Sequence, residues 1–181
     1  MSRASGPVTP AYLERAALHY LERYASSAEN LRRVLTRKAR RLLGPGGETL
    51  ASGIEGSIAE VVGRMVRSGL VDDRSFAEMK VGALIRRGAS TRAMRARLKG
   101  KGVADDVLEA ALGAHDLDDL ALARRHAERK RLGPYRLRPD PSLRERDLAA
   151  LCRAGFSYRI AAGILDESAG EDGTTSGRTP A

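Results

Sequence analysis

The chain has 181 residues, enough for one or two domains, with 42% hydrophobic residues, only 4% aromatics and no Trp. That composition supplies a core of Leu, Val, Ile and Ala and argues against an aromatic-rich sandwich or barrel. A formal charge of +9 favours a polyanion or an acidic protein surface as partner, while the single cysteine, Cys152, excludes a disulfide framework or a CxxC metal site.

The opening residues MSRASGPVTP lack the apolar stretch of a secretory signal. No uninterrupted apolar run approaches the ~20 residues of a membrane span. A soluble protein of the reducing cytoplasm is expected, with Cys152 ("LAALCRAGF") as a buried structural thiol.

The predicted elements are helices throughout. Residues 1–8 read as disordered. Thr9-Pro10 is a helix start, a hydroxyl cap followed by Pro at the first helical position. Leu13, Ala16, Ala17, Tyr20, Leu21 and Tyr24 then recur at helical spacing. Ser26 and Glu29 have the spacing of a capping box, and Leu31, Val34 and Leu35 give the second helix its apolar stripe. Pro45 and its neighbouring glycines break that helix, and a polar loop is expected up to Ile54. Ile54, Ile58, Val61, Val62, Met65 and Val66 form one face of a third helix that Gly69 ends, with Leu70 tucked back as the hydrophobic contact.

Asp72 and Asp73 follow, ahead of a helix with Phe76, Met79, Ala83 and Leu84 on its apolar side. Paired carboxylates can do acid–base chemistry or hold a metal. Here no third acidic residue, histidine or Gly-rich loop completes a site. Similar pairs, Asp105-Asp106 and Asp118-Asp119, stand at two other predicted helix starts. The pairs therefore read as caps that accept from orphan N–H groups and suit the helix dipole. His19, His115 and His126 are too scattered for a metal site or a triad. The five tyrosines, Tyr12, Tyr20, Tyr24, Tyr135 and Tyr158, read as packing residues. The polar end from residue 169 to 181 reads as a disordered tail.

Self-comparison reveals a repeat. Leu98, Gly102, Val103, Val107, Ala111 and Leu112 match Leu151, Gly155, Phe156, Ile160, Ile164 and Leu165 with identical spacing. A weaker match sets Arg23, Ser27, Leu31, Leu35 and Lys38 against Arg86, Ser90, Met94, Leu98 and Lys101. Three tandem helical units are expected, at 9–70, 71–115 and 116–168. Each has about three helices and is too small to bury its own core well, so stacking into an elongated, curved array is expected.

Charge is segregated along this array. One cluster holds Arg32, Arg33, Arg37, Lys38, Arg40 and Arg41. A second holds Arg86, Arg87, Arg92, Arg95, Arg97, Lys99 and Lys101. A third holds Arg124, Arg125, Arg129, Lys130, Arg131, Arg136 and Arg138, against Glu128 alone. Aligned by stacking, they would form a basic stripe that suits a phosphate backbone or an acidic groove. Met94 and Leu98 mark the buried face of the middle helix, which leaves Arg92, Arg95 and Lys99 exposed. Ordinary solvated helix faces are the plain alternative.

The motifs "GLVDDRSFA", "RRGASTRAMRARLKGKGV", "ALARRHAERKRLG" and "DLAALCRAGFSYRIAAGIL" resemble the bacterial regulatory RecX family over about residues 12 to 166. In that pattern Gly69, Asp72, Asp73 and Phe76 form the central motif, and Gly102, Gly155 and Phe156 the helix turns. "TRKARRLL" and "RAGF" depart from it, and the Gly-rich insert at 44–57 is long. The resemblance implies tandem three-helix repeats that bind the RecA recombinase, lie in the groove of its nucleoprotein filament and restrain its activities in recombination, repair and the SOS response. It implies no catalysis, metal or cofactor, and in several members direct DNA contact. A monomeric free state is expected. A stand-alone, helix-turn-helix-like DNA-binding module is the alternative, though the spread of charge over three units favours backbone contact over base readout.

Overall fold

The structure, a computed structural model, describes residues 8–44, 48–138 and 140–167, with the side chains of 48–53 excepted. The predicted tail at 169–181, and residues 1–7 of the predicted disordered start, lie outside the described residues. Among the described residues all regular structure is helical: α1 (Pro10–Leu21), α2 (Ala28–Leu43), α3 (Glu48–Arg67), α4 (Asp73–Arg86), α5 (Thr91–Gly100), α6 (Asp105–Gly113), α7 (Asp119–Lys130), α8 (Arg144–Arg153) and α9 (Tyr158–Asp166). Two single 3-10 turns, Gly133–Tyr135 and Pro141–Leu143, link α7 to α8. No helix among the described residues is long and apolar enough to cross a membrane.

Two compact units divide these helices. The first takes Met1–Gly82 with Arg95–His115, the second Ala83–Met94 with the chain from Asp116 onward. In the first, α1, α2 and α3 pack on one another around Leu13, Leu31, Leu35, Ile58 and Val61, all essentially buried. In the second, α7, α8 and α9 pack together, burying Ala123, Ala127, Leu151, Phe156 and Ile164. Helices α4 and α5 each supply residues to both units.

Local rules explain most helix ends. Thr9 caps α1 by accepting from Tyr12 N at 3.2 Å, and Ser157 caps α9 by accepting from Ile160 N at 3.3 Å. The α2 cap is Ser27, which accepts from Asn30 N, and not Ser26. Ser26 instead lies one residue outside the helix, accepts from Asn30 Nδ2 and donates to Ser27 O. Glu29 turns away from a capping box to Arg32 and Arg33.

Several expectations fail for identifiable reasons. Helix α3 begins at Glu48, not near Ile54. A glycine or serine inside a helix costs at most about 1 kcal/mol relative to Ala, which a helix packed against two others withstands. After Gly69 the buried residue is Val71, whose N–H donates to Met65 O at 3.1 Å, while Leu70 is half exposed. Val66 and Met79 are also exposed; Ala77 and Val81 take the buried positions beside Phe76 and Leu84. Tyr24 and Tyr158 project into solvent and Cys152 is half-buried, so neither tyrosine nor the thiol is a core residue. Helix α6 starts at Asp105 behind Ala104, with no side-chain cap; Asp105 and Asp106 add first-turn negative charge in place of a cap.

Candidate partner-binding faces

The aspartate pairs divide their labour. Asp72 Oδ1 accepts from Arg74 N at 2.9 Å and Ser75 N at 3.3 Å, and Oδ2 accepts from Ser75 Oγ at 2.7 Å. Asp118 does the same for Leu120 N and Ala121 N. These are the caps. The second aspartate reaches a different helix. Asp73 Oδ1 accepts from Ala28 N at 2.7 Å, at the start of α2. Asp119 Oδ1 accepts from Thr91 N and Thr91 Oγ1, both at 2.8 Å, at the start of α5.

A serine beside each tie completes the pattern. Ser27 Oγ donates to Lys101 O just past α5, and Ser90 Oγ donates to Ala154 O just past α8 at 2.9 Å. Gly102 and Gly155 follow those carbonyls in left-handed backbone, φ 73° and 97°. A Cβ on Gly102 would strike the side chain of Glu29, and one on Gly155 would strike Ser90 Oγ. The glycines therefore permit both the turn and the close approach of the neighbouring helix start. One such junction lies in each compact unit.

This assignment has a measurable consequence. The backing of Asp73 is a backbone N–H that loses its partner in Asp73→Ala, a loss of roughly 1–3 kcal/mol. Asp73→Ala should lower the melting temperature by more than Asp72→Ala, whose target N–H groups sit at a solvated helix end. Equal shifts in thermal denaturation would contradict the distinction between tie and cap.

Three basic clusters remain, and the structure sorts their members. In the first unit, α2 buries Leu31, Val34, Leu35 and Ala39 and turns Arg32, Arg33, Arg37, Arg40 and Arg41 to solvent, with Lys38 partly covered. Glu29 binds Arg32 through Nε at 2.6 Å and Nη2 at 2.7 Å, and Arg33 Nε at 2.8 Å. The Arg32 hydrogen bond, with that of Arg33, holds the Glu29 carboxyl below its ordinary range against the opposing effect of burial. Arg33 Nη1 also donates to Gly100 O at 2.9 Å. Arg37 and Arg40 have no carboxylate partner among the described residues.

On α5, Met94 and Leu98 are buried and Arg92 is exposed. Arg95 is held bidentately by Glu109, both bonds 2.8 Å, and Lys99 lies 3.0 Å from Asp105. Both are thus engaged by α6, which the sequence shows only as an acidic stretch. Lys101 is exposed and reaches Asn30 Oδ1 at 3.5 Å.

In the second unit, Arg125 Nη1 donates to Ile85 O and Arg129 Nε to Arg87 O, each at 3.2 Å. These bonds use carbonyls, and among the described residues neither guanidinium is paired with a carboxylate. They gather Arg125 and Arg129 with the exposed Arg86 and Arg87 at the C-terminal end of α4, where the helix dipole favours cations. Arg124 is different: Glu167 holds it bidentately at 2.5 and 3.0 Å, and that bond lowers the Glu167 pKa while raising that of Arg124. Lys130 is exposed, and Arg131 ends α7 in left-handed backbone at φ 54°, a place where a glycine would be expected.

Among the described residues no group of three or more His, Cys, Asp or Glu side chains is arranged to hold a metal ion. What the geometry defines is an all-helical protein with solvent-facing arginines concentrated at α2 and at the α4–α7 meeting point. The profile of RecX, second three-helix domain, matches residues 72–112. The regulatory protein RecX of Myxococcus xanthus is 42% identical over 169 residues, covering 89% of this chain and 88% of that protein. The one from Agrobacterium fabrum is 30% identical over 155 residues, covering 85% and 82%. A crystal structure of RecX from Lactobacillus salivarius superposes with a TM-score of 0.56 at 22% identity, over 87% of this chain and 96% of that one, a likeness of fold. The chain belongs to the RecX family of regulatory proteins.

Proposed function

We propose that this RecX-family chain acts by binding, in the cytoplasm, to the RecA recombinase and its nucleoprotein filament, and that it restrains RecA's activities without chemistry of its own. The observation that carries most weight is the set of arginines without carboxylate partners among the described residues, on α2 and at the end of α4, which suits a negatively charged filament groove. The division into helical repeats at 9–70, 71–115 and 116–168 belongs to the same reading. It is supported by the recurrence of one Asp–Ser–Gly junction at equivalent positions.

Titrating the full chain into RecA bound to single-stranded DNA should slow RecA-dependent ATP hydrolysis or strand exchange. The chain alone should hydrolyse no nucleotide and cut no DNA. No effect on RecA at several-fold excess would overturn the reading.

A further inference from the structure

Between α2 and the end of α5 the first unit has a groove of about 500 Å³, lined by Arg32, Arg33, Thr36, Arg37, Arg40 and Gly100 together with Asn30. Four of these side chains are guanidinium groups. Glu29 is the carboxylate bonded to them, through Arg32 and Arg33, and Glu55 acts on Arg32 only at longer range. Setting the Glu29 charge against the four arginines leaves three positive charges in the groove.

The arrangement of those charges is specific. Arg33, Arg37 and Arg40 stand at positions i, i+4 and i+7, one face of α2. At 1.5 Å rise per residue they span about 10 Å of helix axis. One strand of nucleic acid rises about 3.4 Å per nucleotide in a duplex, so about 10 Å covers roughly three steps, long enough for each of the three cations to reach a different phosphate of the same strand. Arg33 is preorganised at one end of the row, because Gly100 O and Glu29 fix its guanidinium. Arg37 and Arg40, with no carboxylate partner among the described residues, can present their forks, whose geometry fits two phosphate oxygens at once. Among the described residues no aromatic side chain lines the groove, so bases have none of these to stack on.

We propose that this groove binds the phosphodiester backbone of nucleic acid, with Arg33, Arg37 and Arg40 each serving a phosphate of one strand and no base being read. The regular row of like charges favours a polyphosphate chain over the scattered carboxylates of a protein surface. This deepens the reading of the chain as a binding protein of nucleoprotein filaments, but it is testable without RecA.

The probe is a fluorescein-labelled single-stranded oligodeoxythymidylate, and its anisotropy is followed with the full chain across a salt series. Three variants are compared with the parent: Arg37→Ala/Arg40→Ala in the groove, Arg146→Ala/Arg159→Ala on exposed positions of α8 and α9 with the same charge change, and Glu29→Gln. On single strands each phosphate contact contributes a slope of about −0.7 in log affinity against log salt, so losing two should flatten the slope by about 1.4. The α8–α9 variant should change it far less. Glu29→Gln releases Arg32 and Arg33 from their counter-charge and should tighten binding. A mixed-sequence oligonucleotide should bind as oligodeoxythymidylate does.

Equal loss in the two arginine variants would reduce the effect to net charge and overturn the site. So would an unchanged slope in the groove variant, or a strong preference for one sequence. If the groove variant binds oligonucleotide normally yet no longer slows RecA, the groove takes a protein's carboxylates and the phosphate assignment fails while the RecA reading stands. Failure of the parent chain to slow RecA, with the groove result as expected, would remove the RecA reading alone.

Discussion

Gly88→Ala should destabilise the protein by about 3 kcal/mol, far more than a single added methyl group usually does. Gly88 ends α4 in left-handed backbone, φ 61°, with Gly88 N donating to Ile85 O and Ala89 N to Leu84 O. Its Cα faces α7 so closely that a Cβ would lie 2.7 Å from His126 N and 2.8 Å from Leu122 O. Both are backbone atoms, so neither can rotate away, and α7 itself would have to move. Left-handed backbone adds about 1–2 kcal/mol for a residue with a Cβ, and overpacking typically adds 1–3 kcal/mol. The displaced helix would also stretch the contact of His126 Nδ1 with Gly88 O, now 3.1 Å. Gly69 supplies the control. It has a similar φ of 73° but open space around its Cα, so Gly69→Ala should carry the backbone strain alone, about 1 kcal/mol. Urea unfolding of both variants measures the difference directly. Equal losses would mean that close approach to α7 contributes nothing at Gly88.

Those two glycines look alike in the sequence, since each follows a helical apolar stripe. Many local signals of this kind were legible: the Thr9 cap, the buried faces around Leu31, Leu98 and Ile164, and the all-helical fold they imply, while the expected breaker at Pro45 lies outside the described residues. The matched positions Ser27 with Ser90 and Gly102 with Gly155 also proved to be structural equivalents, each pair making the same junction. What the junction does was hidden, because its bonds join residues far apart in the chain. Asp73 accepts from Ala28 across 45 positions and Ser90 donates to Ala154 across 64. An aspartate at a helix start satisfies the cap rule whichever helix it serves, so local pattern could not divide Asp72 from Asp73.

The basic clusters show the same limit. Counting arginines finds α2, α5 and α7, but only the fold pairs Arg95 with Glu109 and Arg124 with Glu167 while leaving Arg37 and Arg40 without a carboxylate among the described residues. The clusters as written therefore overstate the charge that the described residues leave without a carboxylate. Leu70 and Val71 make the point for apolar residues. Either satisfies a helix-end contact by type, and the backbone bond from Val71 N to Met65 O decides which one turns inward.

Asp147→Ala should be the second large loss, again about 3 kcal/mol, at a residue that opens the motif "DLAALCRAGF" but whose role nothing in the sequence indicates. Asp147 lies in the first turn of α8, yet it is only 2% exposed. Its carboxylate accepts from Gly133 N at 2.8 Å and from Arg136 Nε at 3.0 Å and Nη2 at 2.5 Å. One side chain thus fastens both ends of the turn Gly133–Tyr135 that leads the chain out of α7. The Arg136 side chain is 24% exposed, so removing Asp147 leaves a mostly covered guanidinium without its counter-charge and the Gly133 N–H without an acceptor. Breaking a buried pair from one side typically costs 3–5 kcal/mol, and the residual hydration of Arg136 places this one at the lower end. Replacing both partners, Arg136→Leu with Asp147→Leu, removes the stranded charge and should recover much of that loss, leaving the unbonded Gly133 N–H as the remaining defect. Hydrogen exchange localises the effect: the Gly133 amide should exchange faster in Asp147→Ala and in the double variant, while the amides of α1 to α3 keep their protection relative to the global stability. A single variant no less stable than the double one would show that Arg136 is not stranded, and the turn would then be held by its own 3-10 bonds and not by the aspartate.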